Sequence, residues 1–472
     1  MLTTLAAPAF AATWRIEDGN ITVKAGDTEG TNKVSQGTII DKVDTNTIIT
    51  NSDKATASSN TVTIDAEDHK VEVTLDNVNI KADSGSALTS KGDVTLTLKG
   101  DNHLTGGNGD TYGGDGITSS GSLTISGGTV TANGDDGGRG ISSSGSVTIS
   151  GGSTVTANGG SGTISGGDGI WSGGGVTISG GSTVTANGGN GGSLVGGDSI
   201  RSGGGLTVSD GTVTAKGGNG DSKDGYGGDG IRSGGVVTIS GNTVNAAGGY
   251  GGKVGGYGIC SFDRVAISGG TVEAAGGNGS TGGGSGIYSS VIDLSGSLEL
   301  TAKAGSPNGK ALSQNGSELV LDTIKDKLGP GAKVTATDAN GETKQVSTPR
   351  PVEPEESSSS SDGGSAAPSA PASPLPGLTV TDKDGQRISY TSTQSGNTLT
   401  VCVGRLTASL HVSLAALRQL RAEGIETITF QTILCSTTLS VDELLAIGGE
   451  DTEVVLIHHI RSSTLTVGGK AV

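Results

Sequence analysis

Short stretches of alternating apolar and polar residues, separated by glycine-rich turns, fill residues 113–305 of this chain. One phrase recurs seven times and is clearest over residues 166–189, GGDGIWSGGGVTISGGSTVTANGG. The repeats are marked by isoleucines 24 to 31 residues apart: Ile117, Ile141, Ile170, Ile200, Ile231, Ile259 and Ile287. This period is typical of a solenoid, in which each unit buries its apolar face against its neighbours.

Each repeat contains three strand-type segments, for example residues 140–143, 147–150 and 154–157. None has helical apolar spacing, so each strand is expected to pair in parallel with its counterpart in the next coil, about 4.8 Å away. The predicted fold class is all-β: a right-handed parallel β-helix, followed by a linker and a small α+β domain. Glycines are expected at the corners, where the backbone turns sharply.

Strand alternation assigns three apolar files to the interior. They are the isoleucine file, a second file of Ile125, Ile149, Ile178, Val208, Ile239, Ile267 and Leu294, and a third of Val130, Val155, Val184, Val213, Val244, Val272 and Leu298. A serine stands two residues after every repeat isoleucine, and the same parity places it inside. We interpret these serines as structural, with hydroxyls that bond to one another or to turn amides.

Composition divides the rest of the chain. Residues 1–12 are apolar and end in an A-x-A pattern, which predicts a signal-peptide remnant rather than a disordered terminus. Residues 13–83 predict an N-terminal cap with the first coils, and residues 84–346 the β-helix with its C-terminal cap. Residues 347–377, rich in Pro, Ser and Ala, predict a linker. Residues 378–472 predict the small α+β domain.

Helical periodicity appears only in that last region. Ser413 is predicted to cap a helix that ends at Gly424, and Ser440 opens a second helix as part of a capping box. His458 and His459 follow a predicted strand, and we interpret them as surface or edge residues rather than ligands. For this region we expect a cell-wall or surface partner.

Charge and cysteine content restrict the function. A formal net charge of −17 argues against nucleic acid or an anionic membrane as partner and suits a soluble, secreted protein. No stretch is long and apolar enough to span a bilayer. Cys402 and Cys435 are candidates for pairing in an exported protein, whereas Cys260 is expected to be a free thiol at an outward position.

Segments that precede the regular repeats are similar to a known family. V-T-L-D-N-V-N-I at residues 73–80 is followed by S-A-L at 86–88, V-T-L-T-L-K-G at 94–100 and N-H-L-T-G-G at 102–107. In this order they resemble the secreted carbohydrate-binding β-helix proteins of clostridia and related gut bacteria. The resemblance covers residues 61–305 and implies a pectate-lyase-like fold, non-catalytic binding of cell-wall polysaccharide and, in some members, calcium. No residue role is carried over from it.

One outward file varies while the core files hardly change. It follows the repeat isoleucines and reads Thr118, Ser142, Trp171, Arg201, Arg232, Cys260 and Tyr288. Insertions of variable sequence come directly before it, with Tyr112, Tyr226 and Tyr250 among them, and are expected to wall this strip on one side. Trp171, Arg201 and Arg232 are predicted to lie in consecutive coils, about 5 Å apart.

An aromatic face beside two guanidinium groups suits an anionic sugar chain, with stacking on the ring and bidentate bonds to carboxylates. The candidate ligand-binding residues are therefore Trp171, Arg201, Arg232, Tyr288, Tyr226 and Tyr250. The alternative is that outward residues simply vary and that each arginine pairs with the aspartate three residues before it.

Those aspartates form a file of their own, interrupted by Arg139: Asp115, Asp168, Asp198 and Asp229. Carboxylates stacked one coil apart repel unless a cation bridges them or turn amides hydrogen-bond to them. Calcium is the natural cation for oxygen ligands, so these four are the candidate metal ligands. An Asx-type cap of the turn is an equally good interpretation.

Three functions remain open. The first is a secreted or cell-surface, non-catalytic protein that binds acidic cell-wall polysaccharide such as polygalacturonate. The second is a surface adhesin or stalk. The third is a calcium-dependent polysaccharide lyase, which needs a basic residue to remove a proton beside a uronate carboxylate. The repeated motif singles out no catalytic position, so we expect no enzyme activity.

Overall fold

The computed structural model describes residues 12–109 and 113–349, and most of the C-terminal region. There the described residues are 378–382, 387–388, 390–395, 397–403, 407–432, 436–447, 453–458, 463–467 and 470–471. Nearly all of the predicted signal-peptide remnant and of the linker lies outside these residues, as do Tyr112, Cys435 and His459. The chain divides between Glu355 and Glu356 into two compact units.

The first unit is a parallel β-solenoid of about 12 turns, which confirms the predicted fold class. Its regular coils carry three strands each, with glycine corners between them. Strands of the isoleucine file are Ile117–Ser119, Ile141–Ser143, Ile170–Ser172, Ile200–Ser202, Ile231–Ser233, Ile259–Ile267, Ile287–Leu294 and Leu312–Gln314. The second file comprises Leu123–Asn133, Val147–Ser150, Val176–Ile178, Leu206–Val208 and Val237–Ile239. The third comprises Thr154–Asn158, Ser182–Asn187, Gly211–Lys216, Thr243–Ala247, Gly270–Ala275, Leu298–Lys303 and Lys333–Thr337.

Register between coils is one-to-one, so equivalent side chains form straight files. Ile170 pairs with Ile200 and Ile200 with Ile231, and the second and third strands pair in the same way. All three predicted apolar files are buried and belong to one continuous core. Burial of these stacked side chains is the main favourable contribution to the stability of the solenoid.

The serine file points inward, as predicted, and its members are 0–2% exposed. Their hydroxyls donate to backbone carbonyls of the corner in the preceding coil. Examples are Ser172 Oγ to the Gly145 carbonyl at 2.8 Å and Ser233 Oγ to the Gly204 carbonyl at 2.8 Å. Turn carbonyls are therefore the main partners, and the expected turn amides take part at Ser119 and Ser261, whose Oγ atoms accept from the Gly121 and Asp263 N–H groups at 3.3 and 3.1 Å.

The variable insertions also stack from coil to coil. One series of parallel bridges joins Gly162, Gly191, Gly220, Gly251 and Gly279, and a second joins Val195, Tyr226, Val254 and Gly282. Glycines close the base of each insertion. The Gly197 N–H donates to the Gly189 carbonyl at 2.8 Å, and the Gly218 N–H donates to the Gly197 carbonyl at 2.9 Å. The insertions are thus an ordered extension of the solenoid.

Antiparallel strands cover both ends of the parallel stack, where an open edge would otherwise pair with other chains. At the N-terminal end, Ile21–Ala25, Asn32–Gln36 and Ile39–Asp44 form a meander. The neighbouring elements are Thr13–Arg15, the 3₁₀ helix Ile16–Asp18, Thr47–Thr50, Val62–Asp76, Asn79–Lys81 and Leu88–Thr105. The C-terminal end has Ser317–Glu318, the 3₁₀ helix Leu321–Lys327 and Thr343–Ser347, whose strands pair antiparallel with Leu312–Gln314 and Lys333–Thr337.

The described residues of the second unit form two small sheets and two helices. One sheet contains Leu378–Thr381, Ala408–Ser413, Glu453–His458, Ser463–Val467 and Lys470–Ala471, and the other contains Thr391–Ser395, Thr398–Cys402, Thr427–Gln431 and Ser436–Ser440. The helices are Leu414–Ala422 and Val441–Ile447. Ser413 caps the first by accepting from the Ala416 N–H at 3.2 Å, as predicted.

His458 corrects one expectation in this unit. We predicted a surface or edge residue, but the side chain is 0% exposed and packs on Phe430, with ring centroids 4.7 Å apart. Hydroxyls of Thr432 and Thr437 hydrogen-bond to its two ring nitrogens at 3.3 and 3.0 Å. Burial lowers the pKa of this imidazole, so the neutral form is favoured. Among the described residues, no helix has the length and apolar character to cross a membrane.

Candidate functional site

The predicted strip exists. Trp171 pairs in register with Arg201, Arg201 with Arg232, and Arg232 with Cys260 on successive strands of the isoleucine file. Arg201 is exposed, whereas Trp171 and Arg232 are half-buried. The side chains therefore lie on one side of the solenoid at the spacing of adjacent strands, about 4.8 Å.

A groove of about 800 Å³ runs beside this strip. It is lined mainly by glycine backbone and by the side chains of Asp115, Arg139, Asp168, Asp198, Arg201, Tyr226, Asp229, Arg232 and Tyr257. The insertions contribute Ser165, Val195, Tyr226 and Val254 to its rim, so they wall the strip as expected. Because this groove brings the predicted arginines and aspartates together, it is the candidate functional site.

Three of the six candidate ligand-binding residues line the groove: Arg201, Arg232 and Tyr226. Tyr250 is 48% exposed and does not line it. Tyr288 also lies outside the lining, and its ring stacks on Tyr257 with centroids 4.9 Å apart. Sequence reasoning missed Tyr257 and treated Arg139 only as an interruption of the aspartates, although Arg139 occupies the same file.

Trp171 has one ring face covered. The Arg139 guanidinium carbon lies 4.5 Å from the ring centroid, a cation–π contact. Arg139 Nε is also 3.6 Å from Asp168 Oδ2, so one arginine joins the tryptophan to the aspartate file. The predicted stacking of a sugar on Trp171 is therefore restricted to the other face.

Arg232 is held in a similar way at the other end of the strip. Its Nη1 lies 3.3 Å from Asp229 Oδ2, and its guanidinium carbon lies 5.2 Å from the Phe262 ring centroid. The alternative interpretation, that each arginine pairs with the aspartate three residues before it, is thus correct for Arg232. For Arg201 it is not, because no carboxylate of the described residues lies within 4.0 Å of this guanidinium.

The aspartates form a hydrogen-bonded ladder. Asp168 Oδ1 accepts from the Asp198 N–H, Asp198 Oδ1 from the Asp229 N–H, and Asp229 Oδ1 from the Tyr257 N–H, at 2.7–2.8 Å. Asp115 Oδ1 accepts from the Arg139 N–H at 2.7 Å in the same manner. Each carboxyl group therefore caps the turn of the next coil, as in the Asx-type interpretation.

Burial changes the acidity of this ladder. The residues Asp168, Asp198 and Asp229 are only 3–7% exposed. Loss of hydration raises the pKa of Asp168 to about 6 and that of Asp229 to about 8, and the neighbouring Asp198 carboxylate adds to both shifts. The pKa of Asp198 is raised as well, again chiefly by burial. Arg139, Arg201 and Arg232 oppose these shifts.

Most carboxylate oxygens of the candidate metal ligands already have partners. One oxygen of each aspartate accepts a backbone N–H, and the second oxygens of Asp168 and Asp229 face arginines. The second oxygen of Asp115 accepts from the Thr118 hydroxyl at 2.8 Å. Ca²⁺ takes six or more oxygen ligands. Within the described residues, no three His, Cys, Asp or Glu side chains form a group that would hold a metal ion; calcium binding stays a prediction.

Cys260 also departs from expectation. It occupies the outward file and its thiol is free, but the residue is only 1% exposed. Burial raises the pKa of this thiol to about 12, so the unreactive protonated form dominates. The predicted pairing of Cys402 with Cys435 is not tested, because Cys435 lies outside the described residues.

The buried ladder predicts that stability falls as pH rises. Carboxyl groups of the unfolded chain titrate near 3.8, whereas those of Asp168 and Asp229 titrate near 6 and 8 in the folded chain. Between these values the folded state binds more protons, so the free energy of unfolding decreases with pH, by at most about 1.4 kcal/mol per unit for one group. We expect a lower melting temperature at about pH 8.5 than at about pH 5.5.

Asp229→Asn is the matched variant for that measurement. Its amide oxygen replaces the acceptor for the Tyr257 N–H, but the side chain does not titrate. The melting temperature of this variant should depend less on pH than that of the wild type. Identical pH profiles for the two proteins would contradict the assignment of raised pKa values to the ladder.

Fold and groove together define a parallel β-solenoid protein with an open, glycine-walled groove that carries arginines and aspartates. Comparison with protein-family models, with curated proteins and with solved structures gave no match. The functional argument therefore depends on the groove itself.

Proposed function

We propose that this chain is a secreted or cell-surface, non-catalytic protein that binds acidic cell-wall polysaccharide, such as polygalacturonate, in the groove. One observation carries the proposal: Arg201 is exposed on the groove without an ion pair among the described residues, whereas Arg139 and Arg232 are engaged with aspartates. A guanidinium in this position is free to form a bidentate bond with a uronate carboxylate.

The surroundings of Arg201 support a sugar ligand. The groove is elongated across successive coils, and Tyr226 on its rim is 42% exposed and offers an aromatic surface. The backbone that lines the groove is held by hydrogen bonds between coils, so the binding site is largely preformed. A preformed groove reduces the entropic cost of binding a long, flexible polymer.

Retention on polygalacturonate in affinity electrophoresis tests this function. Arg201→Gln removes the free guanidinium, and we expect about tenfold weaker binding, the contribution of one charge-assisted hydrogen-bonded pair. Arg264→Gln is the matched control, because Arg264 is exposed at another corner and does not line the groove. It makes the same change in net charge and should bind like the wild type.

The other outcomes distinguish the remaining functions. Equal retention of the wild type and Arg201→Gln contradicts the groove as the binding site. Release of unsaturated uronides from the polymer supports a lyase instead of a non-catalytic binder. Absence of binding to any polysaccharide, together with adhesion to cells or proteins, supports an adhesin or stalk.

A further inference from the structure

The charges of the groove define which acidic polymers fit it. Six consecutive coils place Asp115, Arg139, Asp168, Asp198, Asp229 and Tyr257 at equivalent positions along the groove. Five coil steps of about 4.8 Å give a length of about 24 Å. A glycan unit is of similar length to one coil step, so a polymer lying along the groove meets several of these positions at once.

Two of the three arginines in the groove are already engaged. Arg139 contacts Asp168 at 3.6 Å and covers the ring of Trp171, and it also donates to the Ser142 hydroxyl at 3.3 Å. Arg232 contacts Asp229 at 3.3 Å and lies against the ring of Phe262. A ligand carboxylate would have to displace these partners in order to bind either guanidinium.

Arg201 is therefore the single guanidinium available to a ligand in the groove that the structure describes. Elsewhere in the groove a second ligand carboxylate would find guanidinium groups only on Arg139 and Arg232, which already contact Asp168 and Asp229. A carboxylate brought into the groove without a free cation loses hydration that no partner replaces. A polymer with an acid group on every sugar is consequently a poor match to the groove.

The rim of the groove favours uncharged ligand groups next to the carboxylate that binds Arg201. Val195, Tyr226 and Val254 come from successive insertions and are joined by parallel bridges, so they form one file along the groove. Val195 and Tyr226 are 41% and 42% exposed. This apolar edge offers burial to the C–H faces of sugars and to methyl ester groups, whereas the nearby Lys253 ammonium, 5.7 Å from the Tyr226 ring centroid, does not line the groove.

We propose that the groove selects an acidic polysaccharide whose uronate residues are separated by uncharged ones, such as a partially methyl-esterified galacturonan. One carboxylate binds Arg201, and neutral or esterified sugars occupy the positions along the aspartates and the apolar rim. This inference rests on the proposed function and narrows its ligand class.

Calorimetry with the full chain at fixed salt and pH tests the inference. The probes are galacturonan chains of one length in three forms: fully acidic, partially methyl-esterified and fully methyl-esterified. We expect the partially esterified form to bind tightest, about tenfold tighter than the fully esterified form. Only this form has both a free carboxylate for Arg201 and uncharged sugars on either side of it. Arg201→Gln should abolish the difference between these two forms, and Arg264→Gln should preserve it.

Each other outcome has a distinct meaning. Affinity that rises steadily to the fully acidic form overturns the inference and leaves the proposed function standing. Equal affinity for the partially and fully esterified forms also overturns it, because Arg201 then anchors no carboxylate. Absence of binding by all three forms overturns the proposed function itself. Melting temperatures of the two variants identify any loss that comes from unfolding.

Discussion

Replacing Gly197 with alanine should destabilise the solenoid by more than about 4 kcal/mol, a loss seen only for severe structural conflicts. The added Cβ would lie 1.9 Å from the Gly167 carbonyl oxygen and 2.5 Å from its carbon. Backbone on both sides is fixed by hydrogen bonds to neighbouring coils, so relief requires the coils to separate. Urea unfolding followed by circular dichroism measures the effect.

Gly181→Ala is the control for this change. Gly181 lies at a corner with φ of +71°, and a Cβ there meets nothing within 4 Å. Alanine in this backbone conformation costs about 1 kcal/mol. If both variants lose the same stability, the close approach at Gly197 is not what requires glycine there.

The second large effect is expected from Ile200→Ala in the middle of the isoleucine file. Ile200 is 0% exposed and pairs with Ile170 and Ile231, whose side chains would line the resulting cavity. Removing this much buried aliphatic side chain costs about 2–5 kcal/mol. Because each coil is stabilised only by its neighbours, weakening one central coil also weakens the coils on both sides.

Thr207→Ala in the same coil is the comparison. Thr207 is half-buried on the outward side of the second strand, where loss of a hydroxyl and a methyl group changes stability by about 0.5 kcal/mol or less. Similar unfolding midpoints for the two variants would contradict the assignment of the isoleucine file to the core.

Period and alternation were sufficient to predict the files of the solenoid. Trp171, Arg201 and Arg232 lie in consecutive coils because equivalent strands of successive repeats pair one-to-one, which fixes every side chain relative to the next. The same alternation predicted that the serine side chains point inward. It did not predict their main hydrogen-bond acceptors, because these depend on where the carbonyl groups of the corners point.

The contacts of the candidate site were less predictable. Arg139 reaches Trp171 in the next coil, and Arg232 lies between Asp229 and Phe262, so their availability depends on side chains far apart in sequence. Cys260 is buried at a position that alternation assigns to the surface. Alternation reports the direction of a side chain from its own strand, but not which neighbours cover it.

The sequence by itself determined the repeat, the three strands of each coil and the direction of their side chains, since these depend on local alternation and on a phrase that recurs every 24 to 31 residues. Only the tertiary structure decided that the glycine-rich insertions stack as an ordered wall, that the aspartates cap the following coils, and that Arg201, among the described arginines of the groove, makes no ion pair. Those features arise from contacts between residues about thirty positions apart, whose distances are set by the stacking of complete coils.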